Sequence, residues 1–416
     1  MNVAWITSKA PLAAILFSLT YLALAMGRVP RLRLDRSAIA LVGAAGMIGF
    51  GVLDLREAAA AVNVETLVLL FGMMILAGYL RLAGFFALVT ERVAASRPRP
   101  LAMLAVVIGL SGGLSAFLVN DVVCVAMTPL VLGLCRRMRR PSIPYLVGLA
   151  TASNVGSVAT ITGNPQNIII GSLSGISYAR FACRLAPIAV AGLLINFLLV
   201  ALVYRRSLMR REGLEAFDPA PERFRIHRKL LTRAGLIALA TIPLFFAGLP
   251  TASVALVAAA VLMLDCLRPE RAIQAVDWPL LVMFAGLFVV VHAFDANVVH
   301  RWDLSRLARF GEAPVVPVSI LSVALSNLVS NVPAVLLFQP LMPAMADQEQ
   351  AWLALAMSST LAGNLTILGS VANLIVVEGA RREGTNLGFV EYLKVGVPLT
   401  LLTTILGAAW LSLTRY

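Results

Sequence analysis

The sequence predicts an all-α integral membrane protein of two inverted repeats, each with five crossings plus one re-entrant hairpin, and with a broken helix in each half. Three observations carry that expectation. The 416-residue chain is 60% hydrophobic and only 13% charged, against roughly 25% charged for an ordinary soluble domain. Its apolar runs have the length of a membrane span, about 20 residues with roughly 17 as the lower end. The order of those runs, with polar interruptions inside four of them, occurs twice.

The elements follow in order. Apolar runs at 11–27, 37–53 and 66–80 open the chain, and residues 85–96 form an amphipathic connector with Glu91 and Arg92. No small-x-small cleavage site separates the first run from a soluble region, so it is expected to be a span and not a signal peptide. The stretch 101–134 is interrupted at Asn120-Asp121, which predicts a hairpin. The stretch 144–176 is interrupted by Thr160-Ile161-Thr162-Gly163-Asn164-Pro165-Gln166-Asn167. There Pro165 removes a donor and pushes Asn164 out of the helical region, which predicts a broken helix. A run at 185–204 closes a first half, 1–204. The Arg-rich segment 205–229, with Pro219 and Pro221, is the predicted cytoplasmic linker. The second half, 230–416, has runs at 230–249, 252–267 and 280–294, then an amphipathic stretch at 295–311. It ends with a hairpin at 315–346 interrupted at Ser330-Asn331-Val332-Pro333, a broken helix at 352–377 interrupted at Gly369-Ser370, and a last span at 393–413.

The duplication can be checked by eye. Leu114-Ser115, Asn120 and Pro129-Leu130 match Leu325-Ser326, Asn331 and Pro340-Leu341 at one constant offset. Thr160-Ile161, Gly163 and Asn167 match Thr366-Ile367, Gly369 and Asn373 at another. If each interrupted 101–134 type stretch enters and leaves on one side, each half crosses an odd number of times and the halves are inverted. With both termini outside the cytoplasm, the loops at 28–36, 81–99, 136–140, 205–229, 268–271 and 381–394 are cytoplasmic, and they hold most of the 34 lysines and arginines. That distribution follows the positive-inside rule. The net charge of +13 is therefore assigned to orientation and contact with membrane lipid, and nucleic-acid binding is not expected.

Composition excludes other chemistry. The four cysteines (Cys124, Cys135, Cys183, Cys266) form no CxxC, and the three histidines have no metal-ligand spacing, so neither a disulfide framework nor a metal cofactor is expected. No HExxH, Walker A or nucleophile–base constellation is present, so the chain is not expected to be an enzyme.

The interruptions carry the candidate site. An ionisable group at membrane depth costs a few kcal/mol and is a functional candidate by default. Asp121 is such a group; it can bind a cation or a proton, and it is also placed to N-cap a helix beginning at Val122. Asn120 adds two donors and an acceptor. At the first break, a helix starting near Pro165 points its N–H groups and partial positive charge inward, which suits an anion. The carbonyls of the helix ending near Thr162 suit Na⁺. Thr162, Gly163, Asn164, Pro165 and Asn167 therefore join Asn120 and Asp121 as candidates, with Ser330, Asn331, Gly369, Ser370 and Asn373 as their counterparts. Ser153-Asn154 and Ser358-Ser359-Thr360 lie earlier on the same helices, as site or as interhelical hydrogen bonding. Glu65, Asp265, Asp277 and Glu378 lie at helix ends and read as interfacial.

With hairpin tips at Val119-Asn120-Asp121 and Ser330-Asn331-Val332 and the loop Gly163-Asn164-Pro165-Gln166-Asn167, nearly the whole chain resembles the ion transporter superfamily. That group includes the divalent anion/sodium symporters, the citrate transporter-like proteins, the arsenite pump membrane subunit and sodium/proton antiporters. The resemblance is strongest to bacterial anion transporters of the citrate transporter-like or arsenite-pump group, and it includes Glu391-Tyr392-Leu393-Lys394-Val395-Gly396-Val397-Pro398. It implies a homodimer with an elevator motion, substrate held between hairpin tips and breaks, and Na⁺ sites near Asn120 with Gly163 and near Asn331 with Gly369. The dicarboxylate symporters carry Ser-Asn-Thr at both tips. Here hydroxyls are missing, Asp121 replaces a threonine, and the second break lacks proline. The sequence thus leads to a secondary active transporter of a small anion across the cytoplasmic membrane, coupled to H⁺ or Na⁺. The alternative is a Na⁺/H⁺ antiporter or arsenite/metalloid exporter on the same fold.

Overall fold

Lipid offers the backbone no hydrogen-bond partner, so segments within it must satisfy their own N–H and C=O groups. The computed structural model describes residues 9–26, 34–96, 98–209, 226–264, 269–301 and 313–414, and among them no strand occurs. Cys266, Asp265, most of the 205–229 linker and most of the 295–311 stretch lie outside the described residues.

The first half runs through helices Ala10–Met26, Arg36–Gly49, Val64–Leu82 and Phe85–Ala95, then Pro100–Phe117 and Asn120–Arg137. Ile143–Ser157 and Pro165–Ser174 follow, separated by a short turn at Ile161–Gly163, and Tyr178–Val203 closes the half. The second half continues with Arg228–Phe246, Thr251–Met263, Trp278–Asn297, Val315–Val329, Asn331–Phe338, Gln348–Ala362, Val371–Arg382 and Phe389–Leu413, the same succession except that no counterpart of Phe85–Ala95 falls among the described residues. Helix starts carry acidic or amide caps: Asp35 accepts from Ala38 N at 2.8 Å, Asn63 from Thr66 N at 2.8 Å and Asp277 from Leu280 N at 3.1 Å, each filling an orphan donor of a first turn. Asn331–Phe338 is short because Pro340 and Pro343 follow it, and the chain tightens into 3₁₀ turns over Gln339–Ala344.

The two helices that lead into the breaks form the centre. All residues of 144–157 and of 350–362 are buried, whereas Leu194, Leu198, Leu239 and Ile405 on outer helices are exposed, as a lipid-facing surface requires. Among the described residues, six helices are long and apolar enough to cross a membrane. Ile143–Ser157 packs on Pro100–Phe117 as Gln348–Ala362 packs on Val315–Val329. Arg36–Gly49 packs on Trp278–Asn297 as Thr251–Met263 packs on Val64–Leu82. Each pairing thus has a counterpart with the halves exchanged, while Tyr178–Val203 against Phe389–Leu413 is its own counterpart.

Helices gain little hydrophobic drive from meeting in lipid and associate by close van der Waals contact through small residues. A Cβ on Gly156 would lie 2.1 Å from the carbonyl oxygen of Gly112, so the hairpin and the broken helix meet backbone to backbone. Gly156→Val should therefore lower the thermal unfolding midpoint of the detergent-purified protein, at a cost of about 1–3 kcal/mol. Gly109→Ala, at an exposed position with nothing within 4 Å of the added carbon, should leave the midpoint unchanged or raise it. Circular dichroism melts compare the two.

Candidate functional site

A helix interrupted in the protein interior leaves carbonyls without their intrahelical donors. At the first break the Asn167 amide reaches back and donates to Ser157 O at 3.0 Å and Thr160 O at 3.1 Å. At the second, the Asn373 amide donates to Gly363 O at 2.7 Å and Thr366 O at 3.1 Å. These are matching positions of the repeat. The helix that resumes is capped at the same place in each half. Asn164 accepts from Asn167 N at 2.8 Å, and Ser370 accepts from Ala372 N at 3.2 Å. Gly163 is required by proximity, since a Cβ there would lie 2.2 Å from Ser157 O. Thr162 hydrogen-bonds the Tyr178 hydroxyl at 2.8 Å, and Thr160 donates to Ala116 O of the hairpin. The carbonyls expected to suit Na⁺ thus already accept from asparagine.

The breaks are also tied across the halves. Asn154 donates to Asn364 at 2.9 Å and Asn373 at 3.0 Å, and accepts from Asn120 and from Ser370, each at 3.0 Å. Its repeat counterpart, Thr360, accepts from Asn164 at 3.1 Å and Gln166 at 3.3 Å and donates to Asn167 at 3.3 Å. Each broken helix therefore holds the other half's break. All of these side chains are buried, where an unmade hydrogen bond is costly. Asn154 and Thr360 accordingly act as interhelical hydrogen-bonding residues.

The result is one cavity of about 170 Å³. The first turns of four helices border it: Asn120 and Asp121, Pro165 and Gln166, Asn331 and Val332, and Val371 with its cap Ser370. A helix N-terminus carries roughly +0.5 of an elementary charge, so four of them make a cavity suited to negative charge. The facing wall comes from the N-termini of Arg36–Gly49 and Trp278–Asn297, with Arg36, Ser37, Asp277 and Pro279. Arg36 reaches across to donate to Ser330 Oγ at 3.2 Å. Ser330 alone forms the second hairpin tip, at φ 79° and ψ 160°, a region that is essentially glycine's and costs a non-glycine residue of order 1–3 kcal/mol. The first tip spans Leu118-Val119 without a positive φ. The buried oxygens Asn120 Oδ1 and Asn331 Oδ1 have no hydrogen-bond partner among the described residues.

Of the residues singled out in the sequence, Asn120, Asp121, Pro165, Ser330, Asn331 and Ser370 line this cavity. Thr162, Gly163, Asn164, Asn167, Gly369 and Asn373 do not; they sit behind it and shape the breaks. Asp121 is not an N-cap, because Val119 occupies that position and the helix begins at Asn120. Asp277 is more than an interfacial residue, since it lines the cavity while its carboxylate caps a helix. Arg36 and Gln166 complete what the sequence reading missed. Arg36 carried a signal: a cation in the first turn of a helix opposes the dipole and invites another explanation.

Removing the back-bonding amide should unseat the resumed helix. Asn167→Ala and Asn373→Ala should each cost about 1–3 kcal/mol by leaving buried carbonyls unpaired. Asn→Asp at either position should be no better, since a carboxylate cannot donate. Thermal unfolding midpoints in detergent check this.

Known proteins give this arrangement a family. The sequence profile of a family described as "Citrate transporter" matches residues 15–362. The silicon efflux transporter LSI3 of Oryza sativa subsp. japonica is 30% identical, with 96% of this chain and 97% of that protein covered. A 46 kDa membrane protein of Mycobacterium leprae is also 30% identical, over 97% of this chain and 98% of the other. The crystal structure of the YdaH transporter of Alcanivorax borkumensis shares the fold, with a TM-score of 0.56 and 17% identity over 98% of both chains. The chain is thus a multi-pass membrane transporter, not an enzyme, and it belongs to the citrate transporter family.

Proposed function

We propose that the protein is a secondary active transporter of a small anion across the cytoplasmic membrane, coupled to H⁺ or Na⁺. The observation that carries this reading is the convergence of four helix first turns on one cavity. Anions bind at such N-termini without dedicated cationic cages, and broken helices at membrane depth are the usual construction of transporter sites. Asp121 is the candidate proton carrier, since it stands in the hairpin's first turn on the cavity wall. Asn120 Oδ1 and Asn331 Oδ1, without a hydrogen-bond partner among the described residues, are candidate Na⁺ ligands, with the break residues Gly163 and Gly369 as their candidate backbone complements.

The exchanged packing of the two halves supports an inverted repeat, with halves 1–204 and 230–416 joined by the 205–229 linker. In an elevator-type cycle the hairpins (101–134 and 315–346) and the broken helices (144–176 and 352–377) move against the remaining spans, which hold a homodimer together. The positive-inside rule puts both termini outside the cytoplasm and turns the Arg36–Asp277 side of the cavity toward it. A second reading, export of an arsenite-like metalloid oxyacid, is favoured by the likeness to a silicon efflux transporter. A Na⁺/H⁺ antiporter on the same fold is a third.

Purified protein in liposomes with an internal pH dye separates these. Citrate, succinate, inorganic phosphate, arsenite and silicic acid are supplied under imposed Na⁺ or H⁺ gradients. The anion reading expects saturable uptake of one of the anions with an ion flux that depends on it. Proton movement driven by Na⁺ alone, with no added solute, contradicts it and supports the antiporter. Movement of the uncharged oxyacids alone supports the metalloid reading. In Asp121→Asn, transport should lose its pH dependence and its drive by a proton gradient. An unchanged pH profile would remove Asp121 from coupling.

A further inference from the structure

We propose that Arg36 is the residue that recognises the substrate's negative charge, and that Ser330 of the second hairpin holds its guanidinium in readiness across the cavity. The inference rests on the anion-transport reading above and assigns that site a charged anchor outside the hairpins and breaks.

Arg36 is the one cationic side chain on the cavity wall among the described residues. Its position runs against local rules twice. It lies in the first turn of Arg36–Gly49, where the helix dipole disfavours a cation by about 0.3–1 kcal/mol. It also faces four further helix N-termini of the same sign. Asp35, directly before it, is occupied in capping Ala38 N. Asp121 and Asp277 share the cavity, yet the hydrogen bond that Arg36 makes goes to a neutral hydroxyl, Ser330 Oγ, at 3.2 Å. A guanidinium has five N–H donors in a planar fork. One bond to Nη1 leaves the rest of the fork free to take an oxyanion in the bidentate manner that arginine favours. Local rules broken without a structural return mark a functional position.

Ser330 contributes the second observation. Its backbone sits in the glycine region at φ 79°, and the turn is steadied on both sides. Arg36 bonds its hydroxyl, and Tyr21 donates to the carbonyl of Pro333 in the helix that follows, at 3.1 Å. Arg36 and Ser330 belong to opposite walls. An anion that engages Arg36 therefore binds between a residue of Arg36–Gly49 and the first turns of the hairpins and breaks, and touches both walls at once.

The test titrates the detergent-purified full-length protein with citrate, inorganic phosphate and acetate, and with arsenite and silicic acid as uncharged controls at neutral pH, reading thermal stabilisation. At least one oxyanion should stabilise the wild type saturably. Arg36→Gln should weaken its midpoint about tenfold or more, and Arg36→Lys should restore part of the loss, because it keeps the charge without the fork. Arg81→Gln, which removes the same charge from an exposed helix end, should leave the midpoint unchanged. A role confined to folding would lower the unliganded melting temperature and leave the anion midpoint in place, which overturns the proposal. If Arg36→Gln does not fold, a wild-type midpoint in Arg36→Lys overturns it equally. If only the uncharged oxyacids stabilise the protein, Arg36 has no charge to recognise and the proposal falls while the transporter reading stands. If nothing stabilises it, both fall.

Discussion

The constraint on which the rest depends is the disposal of the backbone groups released at two helix breaks in the middle of the protein. A membrane interior supplies no water to take them. One asparagine in each half pairs two of them: Asn167 donates to Ser157 O and Thr160 O, and Asn373 donates to Gly363 O and Thr366 O, with Asn164 adding a bond to Ser157 O and Asn327 one to Ala362 O. Each asparagine sits in the first turn of the helix that resumes, so the bond that satisfies the helix before the break also fixes the helix after it. Gly163 then lets the chain pass so close that no Cβ fits. The breaks are therefore rigid constructions, and their direction is set.

That direction produces the site. With Asn154 and Thr360 each holding the opposite half's break, the resumed helices and the two hairpin second arms point their first turns at one cavity. The positive ends of four helices are matched there by two carboxylates, Asp121 and Asp277, and joined by one guanidinium, Arg36. Coupling and recognition can then be divided between different groups. Dipoles and arginine suit the anion, and the carboxylate on the hairpin suits the driving ion. The wall that carries Arg36 and Asp277 comes from a different helix pair, Arg36–Gly49 on Trp278–Asn297, from the hairpins and breaks that form the rest of the cavity.

Much of this was legible in the sequence, and the rest was hidden for identifiable reasons. The matched Thr160-Ile161-x-Gly163 and Asn167 with Thr366-Ile367-x-Gly369 and Asn373 marked the breaks, because the two asparagines pair the carbonyls released there and Gly163 stands where no Cβ fits. The hairpins were visible because an interruption in an apolar run of more than thirty residues has few other meanings. Reading every break residue as cavity wall went too far: Thr162, Gly163, Asn164 and Asn167 are spent on the break itself. Asn154 and Thr360 escaped notice as a pair because the same task is done by an amide in one half and a hydroxyl in the other. Arg36 and Asp277 could not be found by motif at all. Each looked like an ordinary helix-end charge, one of a basic loop and one a cap, and only the packing of their two helices brings them to Asp121.

The central claim, that this one cavity is the place where solute waits to cross, has a direct measurement. Val371 is exposed and lines the cavity. Val371→Cys, in a chain whose four native cysteines are replaced, is alkylated with a membrane-impermeant maleimide in right-side-out and in inside-out vesicles. The account predicts reaction from both sides under turnover conditions, slowed from either side by a saturating transported solute. Reaction from one side only, at a rate that solute and ion gradients leave untouched, would contradict it.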